Sequence, residues 1–156
     1  MQSLRFLYRI GKGPSSSHTM GPIAAAKLFL GEFSDAQEYR VVLYGSLAKT
    51  GKGHGTDTII RKTLYPMPCE IVFDAENEDI PHPNTMDILG MKKGEEIGRA
   101  RILSVGGGSI AFEGEQVAEL PDIYAENSFA TIAEYCRERS LRLWQYAVER
   151  EEDGFL

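Results

Sequence analysis

Apolar and polar positions divide the chain into stretches of different period. Residues 20–33, MGPIAAAKLFLGEF, place Ile23, the Lys27 stem and Leu30 on one stripe, with Pro22 in the first turn and three alanines, and predict a helix. Residues 39–46, YRVVLYGS, are apolar and β-branched up to Gly45 and predict a central strand. The next stretch, SLAKTGKGHGTD at 46–57, carries three glycines and predicts a loop. TDTIIRKTLY at 56–65 returns to helical spacing at Ile59, Ile60, Thr63 and Leu64, and Pro66 and Pro68 stop it.

CEIVFD at 69–74 predicts a strand, and AENEDIPHPN at 75–84 a polar, proline-bearing loop. TMDILGM at 85–91 and RARILSVG at 99–106 alternate as strands do. The glycines at 106–108 turn the chain into SIAFEG at 109–114, which predicts a hairpin. The tail, 128–156, changes character and predicts two helices, with Ser128 and Ser140 as caps and Leu141, Trp144 and Val148 along one face of the second. There is no internal repeat and no low-complexity segment. Helix, strand, helix, then several strands, then helices is an α+β order: a mixed or antiparallel sheet covered by helices, in a single domain over 1–156.

Charge and composition narrow the function classes. The chain has 156 residues, 42% of them apolar and 26% charged, the mixture of a soluble globular domain. A net charge of -6 argues against a nucleic-acid binder, which carries a basic face. No apolar run approaches the ~20 residues of a membrane span. The first ten residues, MQSLRFLYRI, are too short and lack the cleavage-like segment of a signal, so the cytoplasm is the default location. The two cysteines, Cys69 and Cys136, make neither a disulfide framework nor a four-thiolate metal site, and both read as small buried hydrophobes.

The candidate chemistry gathers at three histidines, each in a polar stretch rich in Gly or Pro. In GPSSSHTMGP, Ser15, Ser16 and Ser17 precede a helix. One of them reads as an N-cap, and the others lie near free helix N–H groups, a place that favours an anion such as a carboxylate. His18 beside them can give or take a proton near neutral pH. In GSLAKTGKGHGTD the glycines let backbone approach a ligand, but the order G-x-x-x-x-G-K-[ST] is missing, which rejects a P-loop. Here Thr56 or Asp57 can cap the following helix, Asp57 can instead orient His54, and Lys49 and Lys52 read as solvated loop cations. In PHPNTM, Pro81 and Pro83 fix the backbone around His82. Asn84, which donates and accepts, suits an amino-acid zwitterion, and an Asx-type turn before a strand explains the same residues. SVGGGSI reads as a hairpin turn or bulge.

These four segments, in this order, resemble the β domain of the bacterial iron–sulphur L-serine dehydratases (L-serine ammonia-lyases), over essentially the whole chain. The resemblance implies a separate α domain or subunit whose cysteines hold a [4Fe–4S] cluster. An open iron there acts as a Lewis acid on the hydroxyl of L-serine. Loss of the α-proton and of water gives aminoacrylate, then pyruvate and ammonia, with no pyridoxal phosphate. It implies that His54 and His18 reach the catalytic site, His54 as general acid or base and His18 shaping the site. Ser15, Ser16, Ser17, Thr19, Thr56 and Asp57 are then supporting polar groups for substrate, and His82 and Asn84 belong to a second, regulatory serine site. It also implies a fold similar to the small-ligand regulatory domain of some phosphoglycerate dehydrogenases, and a homodimer. The cluster cysteines have no counterpart here, so the chain is expected to hold no metal and to lack activity alone, as a β subunit or as the N-terminal part of a fused enzyme. Two other readings stand beside it: a non-catalytic module that senses serine or a small anion, and a structural dimerisation domain using Trp144 and the tail helix.

Overall fold

The computed structural model describes residues 3–4, 10–114 and 122–151. They fall into two compact units. The larger, within Ile10–Val117, holds all the strands: α1 (Met20–Glu32), β1 (Glu38–Tyr44), α2 (Gly45–His54), α3 (Thr56–Leu64), β2 (Cys69–Asp74), β3 (Thr85–Lys92), β4 (Glu95–Gly106) and β5 (Ser109–Phe112). The strands form one sheet in the order β2-β1-β3-β4-β5. β1 and β2 are parallel, joined through α2 and α3, and every other neighbouring pair is antiparallel. The architecture is α+β with a mixed sheet, as the sequence order predicts.

One row across the sheet shows how the core is built. Phe73, Leu43, Met86, Ile102 and Phe112 stand side by side on five successive strands. All five belong to the apolar core, and Leu43, Met86 and Ile102 are fully enclosed. Residues two apart on a strand share a face, so Val41 and Ile88 extend the same layer. Ala25, Ala26 and Phe29 of α1, Leu47 of α2, and Ile60 and Leu64 of α3 cover it. On α1 the buried face is therefore Pro22, Ala25, Ala26 and Phe29, while Lys27 is exposed and Ile23 and Leu30 are only half-buried. Ala25, Ala26 and the Phe29 ring face the core, and Ile23 and Leu30 take the flanks.

Residues 45–54 correct the sequence reading: they form helix α2, not a loop. Three glycines lower helix propensity by roughly 1 kcal/mol each, but burial of Leu47 and Ala48 against the sheet outweighs that local preference. The break comes one residue after His54. Gly55 takes the left-handed conformation (φ 71°), its N–H bonds the Lys52 carbonyl, and α3 begins at once. Neither Thr56 nor Asp57 caps α3 through its side chain. The cap predicted among Ser15–Ser17 is also absent: α1 has Thr19 at its N-cap, and the Thr19 hydroxyl donates to the carbonyls of Lys12 and Ser15.

The smaller unit contains Ser3, Leu4, α4 (Phe129–Glu138) and α5 (Leu143–Glu151). Ser128 caps α4 as predicted, in a reciprocal box with Thr131. Ser140 does not cap α5. It sits in the connecting turn at φ 54°, and α5 starts three residues later. The predicted apolar face of α5 is also corrected, since Trp144 and Val148 are exposed and Tyr146 is the enclosed residue, packed with Tyr124 and Tyr135. The Tyr146 hydroxyl donates to Glu126 at 2.7 Å, so the ring is enclosed with its polar end satisfied. The Glu151 carboxylate accepts from the Leu4 N–H at 2.7 Å and from the hydroxyls of Ser3 and Tyr124. Most of the first ten residues and the end of the predicted tail helix lie outside the described residues. No helix among those described is long and apolar enough to cross a membrane.

Candidate active site

Two of the three histidines meet. His18 lies in a short 3-10 turn (Ser16–His18) and is buried, whereas His54 is the last residue of α2 and half-buried. Their ring centroids are 4.6 Å apart with planes inclined by 34°. The turn carrying His18 is tied to α3 by Thr56, which is fully buried and donates its hydroxyl to the His18 carbonyl at 2.7 Å.

Both nitrogens of His18 are engaged. Nδ1 lies 3.1 Å from the hydroxyls of Ser15 and Ser17, which are themselves 3.2 Å apart. Nε2 lies 2.9 Å from the Thr50 hydroxyl and 3.3 Å from both the carbonyl and the hydroxyl of Ser46. Burial pushes the pKa of His18 below the ordinary 6.5. The Ser46 carbonyl opposes that shift, and positive charge on His54 adds to it. His18 is therefore a neutral, fixed ring at neutral pH. His54 bonds through Nδ1 to the Thr50 carbonyl at 2.9 Å. A carbonyl only accepts, so Nδ1 carries the proton and Nε2 keeps its lone pair, the form a general base requires.

The remaining predicted residues divide around this pair. Ser15, Ser17 and Thr56 touch His18 directly. Thr19 is buried and acts one step away, bracing the backbone of the serine turn. Ser16 takes part through its carbonyl, which accepts from the Thr19 N–H. Asp57 does not reach the imidazoles through a hydrogen bond and pairs with Arg61 at 3.5 Å. The Lys52 ammonium lies over the Phe73 ring, 5.2 Å from its centre.

His82 and Asn84 stand in the loop before β3. The Asn84 N–H donates to His82 Nδ1 at 3.0 Å, which leaves the proton of neutral His82 on Nε2. Asn84 Nδ2 donates to the Ser104 carbonyl at 3.4 Å, while Asn84 Oδ1 is enclosed and has no hydrogen-bond partner among the described residues. The loop is not remote from α2. A cleft of about 460 Å³ is lined by Gly45, Ser46, Lys49 and Thr50 on one side and by Ile80, Pro81, His82 and Pro83 on the other. None of these residues is acidic. Thr50 and Ser46 thus border both the His18 ring and the His82 cleft.

Sequence reasoning missed Ser46 and Thr50. Reading 46–57 as a loop hid their relation: on a helix, Ser46, Thr50 and His54 follow one another at intervals of four and share a face.

Residues 3–68 match the family model described as serine dehydratase beta chain. This stretch is similar to a serine dehydratase beta chain. The matched segment contains the serine turn, both paired histidines, Thr50 and Thr56. An L-serine dehydratase of Haemophilus influenzae is 28% identical over 199 aligned positions, which cover 97% of this chain and 43% of that protein. The L-serine dehydratase TdcG of Escherichia coli is 34% identical over 69% of this chain and 33% of its own length. An L-serine dehydratase of Mycobacterium tuberculosis is 52% identical over 46% of this chain and 17% of its own. The chain therefore spans less than half the length of the curated relatives it matches. The alignment to the Haemophilus protein is longer than the chain itself, so that relative carries insertions with respect to this one.

Proposed function

We propose that this chain is the β component of an L-serine ammonia-lyase and supplies the paired imidazoles for the removal of water from L-serine. The observation that carries the reading is the 4.6 Å approach of His18 and His54, within a segment that matches the serine dehydratase beta chain. In this reading His54 Nε2, the lone-pair nitrogen, exchanges a proton with the substrate. His18, neutral and anchored at both nitrogens, forms the wall beside it and keeps a second positive charge away. Ser15, Ser16, Ser17, Thr19, Thr56 and Asp57 supply the polar surround. The elimination yields aminoacrylate, which hydrolyses to pyruvate and ammonia.

The family resemblance implies a [4Fe–4S] cluster, and the thiols of this chain do not fit one. Cys69 and Cys136 lie in different units, burial pushes the Cys69 thiol up to about 11, and no group of three His, Cys, Asp or Glu among the described residues is arranged to hold a metal. We assign the cluster to a partner α domain or subunit that closes over the histidine face. His82 and Asn84 are proposed as a second serine site with a regulatory role. The lack of a hydrogen-bond partner for Asn84 Oδ1 among the described residues supports that reading, as does the cleft the His82 loop shares with α2.

The test is reconstitution. The chain combined with its α partner, iron and sulphide under anaerobic conditions is expected to release pyruvate from L-serine. Absence of serine-dependent pyruvate from an assembled, cluster-loaded complex would overturn the catalytic reading. Serine binding to the chain alone that survives His18→Ala and His54→Ala but is lost in Asn84→Ala would favour a sensing module.

A further inference from the structure

The histidine pair is held by a residue outside the motifs' histidines and serines, and the structure assigns Thr50 that role. Thr50 hydrogen-bonds both rings: its hydroxyl is 2.9 Å from His18 Nε2, and its carbonyl is 2.9 Å from His54 Nδ1. We propose that Thr50 is a positioning residue that sets complementary proton placements on the two imidazoles, Nε2–H on His18 and Nδ1–H on His54, leaving His54 Nε2 as the pair's one free basic nitrogen. The proposal rests on the reading that both rings serve one site.

The carbonyls around Thr50 favour one arrangement. A threonine hydroxyl has a single proton. Here it points to the Ser46 carbonyl one helical turn back, at 2.9 Å. With that proton committed to the carbonyl, the hydroxyl turns a lone pair to His18 and Nε2 donates to it. The Ser46 carbonyl, at the longer distance of 3.3 Å from the same nitrogen, is a weaker acceptor that supports the same choice. His18 Nδ1 then accepts from the hydroxyl of Ser15 or Ser17. On the other ring, the Thr50 carbonyl demands a proton on Nδ1. Among the described residues, His54 Nε2 has no hydrogen-bond partner. The titratable group facing His18 is His54, and the nearby hydroxyls of Ser15, Ser17, Ser46 and Thr50 carry no charge.

Two variants separate positioning from bulk. Thr50→Val keeps the shape and removes the hydroxyl, whereas Thr50→Ser keeps the hydroxyl. Thr50 is exposed on its outer side, so neither change opens the core. The first readout is a pH titration of the three histidine rings in the chain itself by NMR, with 15N shifts reporting which nitrogen is protonated. Thr50→Val is expected to lower the His18 pKa further, because the imidazolium loses its shortest acceptor in a buried place, and to blur the single tautomer of His18. Thr50→Ser is expected to restore both. In the assembled enzyme Thr50→Val is expected to reduce kcat by about five- to tenfold, the size of one hydrogen bond, with little change in KM. A Thr50→Val chain whose His18 titrates and reports its tautomer as the parent does, or a Thr50→Ser chain that fails to rescue, overturns the proposal. Should the parent complex make no pyruvate, the catalytic reading fails while the titration still decides the role of Thr50.

Discussion

His18 and His54 stand ring against ring at 4.6 Å, and among the described residues only His54 has a ring nitrogen without a hydrogen-bond partner. The asymmetry gives different expectations for the two. His54 is half-buried at a helix end, so His54→Ala should leave the stability of the chain within about 0.5 kcal/mol of the parent. In the reconstituted complex the same change should lower kcat by about 100-fold or more, the usual loss on removing a general base. Turnover of the His54→Ala complex at the parental rate would remove the acid–base role.

His18 links the site to pH-dependent stability. Its folded pKa lies below 6.5, so the unfolded chain binds the proton more tightly than the folded one. The contribution of His18 is thus fully present above pH 6.5 and is lost as pH falls through the lowered folded value. Urea unfolding of the parent at pH 8 and at successively lower pH should show a decline that the His18→Gln chain lacks in part. Identical pH slopes for the two chains would contradict a buried neutral ring.

Thr56 reaches the same turn from α3. Its hydroxyl is enclosed and donates to the His18 carbonyl at 2.7 Å. Thr56→Val should cost about 1–3 kcal/mol, because a buried carbonyl is left without its donor, and Thr56→Ser should recover most of it. Thermal or denaturant unfolding measures the loss. A disturbed His18 ring resonance in Thr56→Val, alongside a preserved sheet, would show that the effect reaches the site through the backbone.

Much of this arrangement is legible from the chain. The apolar strands, the α3 period, the proline stops and the Gly106–Gly108 turn all carry local signals that agree with their tertiary setting, whereas the Ile23, Lys27 and Leu30 stripe read on α1 is not the face it buries. Helix α2 is not legible in the same way. Gly51 and Gly53 argue locally against a helix, and only the burial of Leu47 and Ala48 reverses the balance. That one misreading conceals the i, i+4 alignment of Ser46, Thr50 and His54, and with it the hub of the site. The tail shows the opposite error. Trp144 and Val148 have helical spacing, but spacing does not reveal that a tyrosine with a hydroxyl partner at Glu126 takes the inner face instead.

The two sides of the His82 cleft are held together at Gly45, and this gives a paired prediction. Gly45 sits at φ 50°, where its N-terminal position in α2 lets the Ser46 N–H reach the Pro83 carbonyl at 2.7 Å. A Cβ at Gly45 would lie 2.5 Å from that same carbonyl oxygen and 2.8 Å from Ile80 Cδ1. Left-handed backbone and a backbone clash act together, so Gly45→Ala should cost about 2–4 kcal/mol and displace the His82 loop, moving its ring resonance. Gly53, eight residues along the same helix, has no left-handed backbone, and a Cβ there would meet nothing within 4 Å. Gly53→Ala should instead stabilise the chain by about 0.5–1 kcal/mol through helix propensity, with the histidine resonances unmoved. Opposite signs for two Gly→Ala changes in one helix are what its observed packing requires. If both variants destabilised equally, α2 would not be a helix packed against the loop at its first residue.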